Sequence, residues 1–62
     1  MISQAFKNKL DKALKDEVKA AAFYTKMINS TNNINLRHAI NEIRNDELDH
    51  HKKLSNIKRI LQ

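Results

Sequence analysis

The chain has 62 residues, with no Cys, Gly or Pro, and its 12 Lys and Arg outnumber 7 Asp and Glu for a net charge of +5. The absence of Cys excludes disulfides, thiolate metal sites and Cys nucleophiles, and the absence of Gly excludes glycine-rich phosphate loops. A domain of this size buries only about 60% of the surface of its unfolded chain, so we expect a metal or self-association to stabilise it.

The first predicted element is a helix over about residues 3–29. Its apolar residues recur at alternating spacings of four and three, which is the pattern of the a and d positions of a packed helical bundle. A second row beside this seam, formed by Leu14, Ala21 and Ile28, widens the stripe, as expected for a helix with more than one neighbour. The seam positions of this helix are Phe6, Leu10, Ala13, Glu17, Ala20, Tyr24 and Met27.

A polar turn over about residues 30–33 leads into a second predicted helix over about residues 34–61. This helix carries a strict heptad, and the short connection predicts that the two helices are antiparallel neighbours. The fold class is therefore all-α: residues 1–62 form one antiparallel helical hairpin. Because two helices cannot cover such broad apolar faces, we expect a two-fold homodimer that forms a four-helix bundle. The seam positions of the second helix are Leu36, Ile40, Ile43, Glu47, His50, Leu54, Ile57 and Leu61.

Three polar residues, Glu17, Glu47 and His50, occupy seam positions where the pattern favours Leu or Ile. A buried carboxylate is very costly unless a partner compensates its charge. Neither seam contains a Lys or Arg, so the compensating charge is expected to come from a metal cation. His38 and His51 fall outside the seam and are predicted to be surface residues.

The spacing of the three residues supports a shared site. Glu47 and His50 are three residues apart and project from one face of their helix. Glu17 and Glu47 both lie roughly 18–20 Å from the turn, at 1.5 Å per helical residue, so they can face one another. A dimer with its loops at opposite ends would bring four carboxylates and two imidazoles together, and two divalent cations would balance the four negative charges. Such ligands suit iron or manganese, and zinc can occupy such sites too.

Glu17 followed by the Glu47–His50 segment, Glu-Leu-Asp-His, resembles the ferritin-like di-iron carboxylate proteins, including rubrerythrins and ferritins. Those proteins place a Glu on each of two helices and a Glu-x-x-His on each of the other two. The chain is similar to the encapsulated ferritins, whose two-helix chains build a di-iron site between subunits, and to the designed due ferri hairpin dimers. The resemblance covers roughly residues 6–61.

The resemblance implies a role for five residues. Glu17 and His50 would be terminal iron ligands and Glu47 a bridging ligand, and these three would form the catalytic group. Tyr24 matches a tyrosine that lies beside the ligands in those proteins. Asp46 matches an aspartate that hydrogen-bonds a metal-bound His and fixes the orientation of its imidazole.

The leading functional prediction is a ferroxidase-like di-iron oxidase. A dimer or higher oligomer would hold two iron ions and oxidise Fe(II) with O₂ or peroxide. One alternative is a non-enzymatic hairpin dimer that a metal such as zinc only stabilises. Another is a basic helical module that binds nucleic acid or a second helix, which the seam carboxylates disfavour. Without an apolar run of membrane-spanning length or a signal peptide, the protein is predicted to be cytoplasmic and not membrane-bound.

Overall fold

The computed structural model describes residues 2–61 and contains two helices, α1 (Gln4–Asn29) and α2 (Ile34–Leu61). They pack side by side as a hairpin, which confirms the predicted all-α hairpin, and their bounds lie within one residue of those predicted. No strand occurs within residues 2–61. Over the same residues, neither helix has a stretch long and apolar enough to cross a membrane.

Polar side chains begin and end the helices without help from Gly. Ser3 caps α1 by accepting a 3.2 Å hydrogen bond from the backbone N–H of Phe6. The Ser30 hydroxyl donates a 2.8 Å hydrogen bond to a backbone carbonyl in the last turn of α1. Asn33 then accepts a 3.1 Å hydrogen bond from the N–H of Leu36 and caps α2. These short polar side chains satisfy helix-end groups that would otherwise be unpaired.

The hairpin has a thin core. Its buried side chains within residues 2–61 form one row along α1, namely Leu10, Ala21 and Ile28. The molecule measures 49 × 15 × 11 Å and its radius of gyration is 14.6 Å, whereas a compact chain of this length has a radius of gyration of about 11 Å. Its accessible surface is 5044 Å², about 900 Å² more than a compact monomer of this mass exposes. One hairpin therefore leaves much of its apolar surface in water.

The two helices contact each other through the flanking row of α1 more than through its seam. Two of the three buried residues, Ala21 and Ile28, belong to this flanking row, and the third, Leu10, is a seam residue; several other seam residues are about half exposed. These exposed seam positions lie on one side of the hairpin, which we call the His50 face. It consists of Phe6, Met27, Leu36, Ile43, His50 and Ile57, of which the five apolar residues are 37–52% exposed.

The opposite face of the hairpin is more polar. It carries exposed apolar side chains too, since Val18, Leu48 and Ile34 are 53%, 50% and 60% exposed. Arg44 reaches across this side from α2 and donates a 3.4 Å hydrogen bond to the Thr25 hydroxyl of α1. The hairpin therefore has one predominantly apolar broad face and one mixed face.

Candidate metal centre

The hairpin brings the three predicted ligands together from both helices. Glu17 lies near the middle of α1, and Glu47 and His50 lie near the middle of α2. Because the helices are antiparallel, these positions stand at the same height. One ligand atom from each of the three residues lies within 4.8 Å of the other two. Within residues 2–61, this is the one such group of three or more potential ligands.

The distances between these atoms suit two ligands of one cation. His50 Nδ1 lies 3.7 Å from Glu17 Oε2 and 4.0 Å from Glu47 Oε2. Both separations exceed the roughly 3.2 Å upper range of ordinary hydrogen bonds. Two ligands that are each about 2.1 Å from a cation such as zinc can be at most about 4.2 Å apart. The imidazole and either carboxylate are therefore close enough to bind one cation.

Glu17 contains the clearest unmet polar group of the site. Its Oε2 atom is buried and has no hydrogen-bond donor among the residues that the structure describes. The Glu17 side chain is 21% exposed, and no Lys or Arg within residues 2–61 pairs with it or with Glu47. A buried acceptor without a partner loses its hydration and gains nothing in return. A bound cation would satisfy this oxygen.

The two carboxyl groups perturb each other. The pKa of Glu47 is raised above its ordinary value of 4.5, first because its protonated form can hydrogen-bond to Glu17, and then because of partial burial and the Glu17 charge. The nearby His50 opposes this shift by favouring the ionised form of Glu47. A proton on Glu47 would therefore ease the repulsion between these two carboxyl groups.

His50 connects the site to the His50 face. Its side chain is 54% exposed, against 23% for Glu47, and Ile43 and Ile57 lie one heptad away on either side. The chain alone supplies three ligand residues, fewer than the four or more ligands that most protein-bound cations take. The open side of the site therefore faces the surface on which a second chain could pack.

Tyr24 and Asp46 are not joined to this group by hydrogen bonds. The partly buried Tyr24 ring packs edge-on against Phe23, with 6.0 Å between ring centroids. Asp46 is exposed and lies one helical turn before His50. Within residues 2–61, neither the Tyr24 hydroxyl nor the Asp46 carboxylate makes a hydrogen bond or an ion pair, and their predicted roles beside the ligands remain predictions.

The burial of two polar residues near the contact between the helices was not predicted from the seam pattern. His51 is partly buried rather than a surface residue, and it lines an apolar groove of about 320 Å³ together with Leu14 and Val18. Arg44 is partly buried as well. Both residues lie in the row that flanks the α2 seam, just as Leu14 flanks the seam of α1. That flanking row was the available sequence signal for their burial.

No protein-family model matches the chain, and no curated protein or solved structure is similar to it at a significant level. The resemblance to ferritin-like di-iron proteins therefore depends on the spacing of Glu17, Glu47 and His50 along the chain. Their grouping in the hairpin is consistent with that spacing.

Proposed function

We propose that two copies of the chain pair through the His50 face into a ferritin-like four-helix bundle that binds and oxidises Fe(II). The observation that carries this proposal is the buried, unpaired Glu17 Oε2 atom, which lies within reach of Glu47 and His50 from the other helix. A cation is the partner that would satisfy three adjacent electron-pair donors at once.

The dimer is supported by the surface that the hairpin leaves exposed. The surplus of about 900 Å² over a compact monomer is close to the roughly 800 Å² that each partner buries in a standard protein interface. The His50 face supplies apolar side chains for such an interface along the length of the hairpin. With the loops at opposite ends, the mid-height position of the ligands brings the two half-sites together at the centre of the bundle.

In this dimer Glu17, Glu47 and His50 of both chains would hold two irons, whose four positive charges balance the four carboxylates. Iron supplies the one-electron chemistry. Two Fe(II) and one peroxide with two protons give two Fe(III) and two waters, and with O₂ the product is one peroxide. The carboxylates favour the more highly charged Fe(III) product, and the surrounding apolar seam limits access of water. Asp46 would orient an imidazole, and Tyr24 would pack beside the ligands.

The direct test is native mass spectrometry of the chain with and without anaerobic Fe(II), followed by exposure to air. We expect two irons per two chains and rapid formation of Fe(III). Glu17→Gln, which keeps the side-chain shape but removes the charge, should lose both properties. Glu42→Gln is the matched control because Glu42 is exposed and lies outside the cluster. A wild-type chain whose mass does not respond to Fe(II) would contradict the proposal.

A second candidate function is a structural dimer in which the metal only holds the chains together. It is favoured by the thin core of the hairpin, because a small scaffold of this kind gains much of its stability from metal or association. The two functions differ in one measurement. If Zn(II) and Fe(II) both drive dimer formation while the bound Fe(II) oxidises no faster than free Fe(II) in the same buffer, the structural function is correct.

A further inference from the structure

The charges of the chain are unevenly distributed along the hairpin. All 7 acidic residues lie within residues 11–17 and 42–49, and residues 18–41 contain none. The half of the hairpin that contains the turn therefore carries basic side chains with few carboxylates nearby. Glu42, the nearest acidic residue to this half, is exposed.

Arg44 is the most constrained of these basic residues. Its guanidinium donates one hydrogen bond to Thr25 Oγ1 at 3.4 Å and another to Asn41 Oδ1. Both acceptors are neutral, and no carboxylate within residues 2–61 forms an ion pair with Arg44. Its Nε–H is buried and has no acceptor among the same residues. A guanidinium has five N–H donors, so this fixed cation has unused donors and no counter-ion.

Arg44 lines a groove of about 420 Å³ beside the turn, together with Arg37, His38 and Asn41. Two apolar residues, Ile28 and Ile34, line the same groove, and none of its lining residues is acidic. Arg37 lies two helical turns before Arg44, about 10 Å along the axis, with Asn41 between them. That distance is within the combined reach of two long arginine side chains. Their ends can therefore converge on one small ligand.

We propose that this groove binds an oxyanion of the phosphate class through Arg37, Asn41 and Arg44. Arginine suits such a ligand because its planar fork of donors matches two oxygens of a phosphate group. A phosphate would also supply the negative charge that the surroundings of Arg44 lack. The groove lies on the opposite face from His50, so it stays open in the proposed dimer. The proposal does not depend on the iron site.

The test is a titration of the full chain with inorganic phosphate at constant ionic strength, followed by amide chemical shifts. We expect saturable shifts concentrated at residues 25–44. Arg44→Gln should weaken binding at least about tenfold, since hydrogen bonds to charged groups are the stronger ones. Arg37→Gln should weaken it about three- to tenfold without any risk to the core, because Arg37 is exposed. Lys26→Gln is the matched control and should bind within about twofold of the wild type.

A parallel titration with O-phosphoserine distinguishes the source of the phosphate group. Tighter binding of inorganic phosphate supports a free ion, and tighter binding of phosphoserine supports a phosphate ester as the natural ligand. Shifts that never saturate would overturn the proposal, because they indicate only general attraction to a basic chain. The proposal is also overturned if Lys26→Gln weakens phosphate binding as much as Arg37→Gln does.

Discussion

The centre of the hairpin and its turn end both contain a partly buried charged group that is not paired with a Lys, Arg, Asp or Glu within residues 2–61. At the centre the group is the Glu17 carboxylate, which lies beside Glu47 and His50. At the turn end it is the Arg44 guanidinium, which only neutral acceptors hold in place. By the two proposals above, the first region would bind a cation and the second an anion, so the two regions would take ligands of opposite charge.

The two regions also differ in their need for a second chain. The central cluster borders the apolar His50 face and supplies only three ligand residues, so in the proposed dimer the second copy would complete its site. The groove at the turn lies on the mixed face and obtains its lining from one hairpin. Self-association should therefore be coupled to the central ligand and independent of the ligand at the turn.

The largest expected effect comes from placing a charge on the His50 face. Ile43→Asp should raise the dissociation constant of the dimer more than about a hundredfold, because each chain would bury a new carboxylate in the interface without a partner. Leu48→Asp is the matched control, since Leu48 is 50% exposed on the opposite face and Ile43 is 44% exposed. Sedimentation equilibrium measures both. If Leu48→Asp dissociates the dimer and Ile43→Asp does not, the interface lies on the opposite face and the proposed interface is wrong.

Metal addition and removal should change thermal stability almost as strongly. A ligand at a hundred times its dissociation constant stabilises the folded state by about 2.7 kcal/mol. Because about 1 kcal/mol raises the melting temperature of a domain this small by about 4–8 °C, Zn(II) should raise it by at least about 10 °C. A chelator should reverse the change. His50→Ala should abolish the response, whereas His51→Ala should retain it, and equal loss in both variants would argue against the assigned ligand.

The pH dependence of stability should change sign when metal binds. The raised pKa of Glu47 means that the metal-free folded state holds a proton more tightly than the unfolded chain. Its contribution to stability is complete below pH 4.5 and is lost as the pH rises through the folded-state pKa. Metal competes with that proton, so stabilisation by metal should grow over the same interval.

Melting curves recorded between pH 4.5 and 7 give the slope of the melting temperature against pH, once with a chelator and once with Zn(II). Glu47→Gln should flatten the metal-free slope because the substituted side chain cannot titrate. Parallel slopes with and without Zn(II) would mean that protons and metal do not compete at this cluster.

The sequence was sufficient for the hairpin and for the height of the central cluster. A chain without Gly or Pro and with two long heptad patterns has few alternatives to two helices, and a fixed rise per residue aligns Glu17 with Glu47. The rotation of each helix about its own axis, which decides the side that faces the other helix, was not predictable in the same way. The seam and its flanking row are both apolar, and nothing in a heptad says which row packs within the chain and which stays exposed.

That ambiguity explains why the burial of two residues of α2 was missed. Arg44 and His51 belong to the flanking row of α2, so their burial follows only once that row is known to face α1. Only the structure could identify the hydrogen-bond partners of Arg44, which are the neutral residues Thr25 and Asn41. Charge counting along the chain could locate the basic half of the hairpin but could not identify which basic group lacks a counter-ion.

The smallest expected effect concerns a charged pair that already has its partner. Asp11 and Lys58 form a 3.0 Å ion pair between the helices, and both side chains are 47% exposed. Solvent screens such a pair, so Asp11→Asn should change the free energy of unfolding by less than about 1 kcal/mol. Denaturant unfolding of the metal-free chain measures the change. If Asp11→Asn destabilises the hairpin by several times that amount, paired surface charges matter here as much as unpaired ones. The unpaired charges of Glu17 and Arg44 would then no longer distinguish the two proposed sites from the rest of the surface.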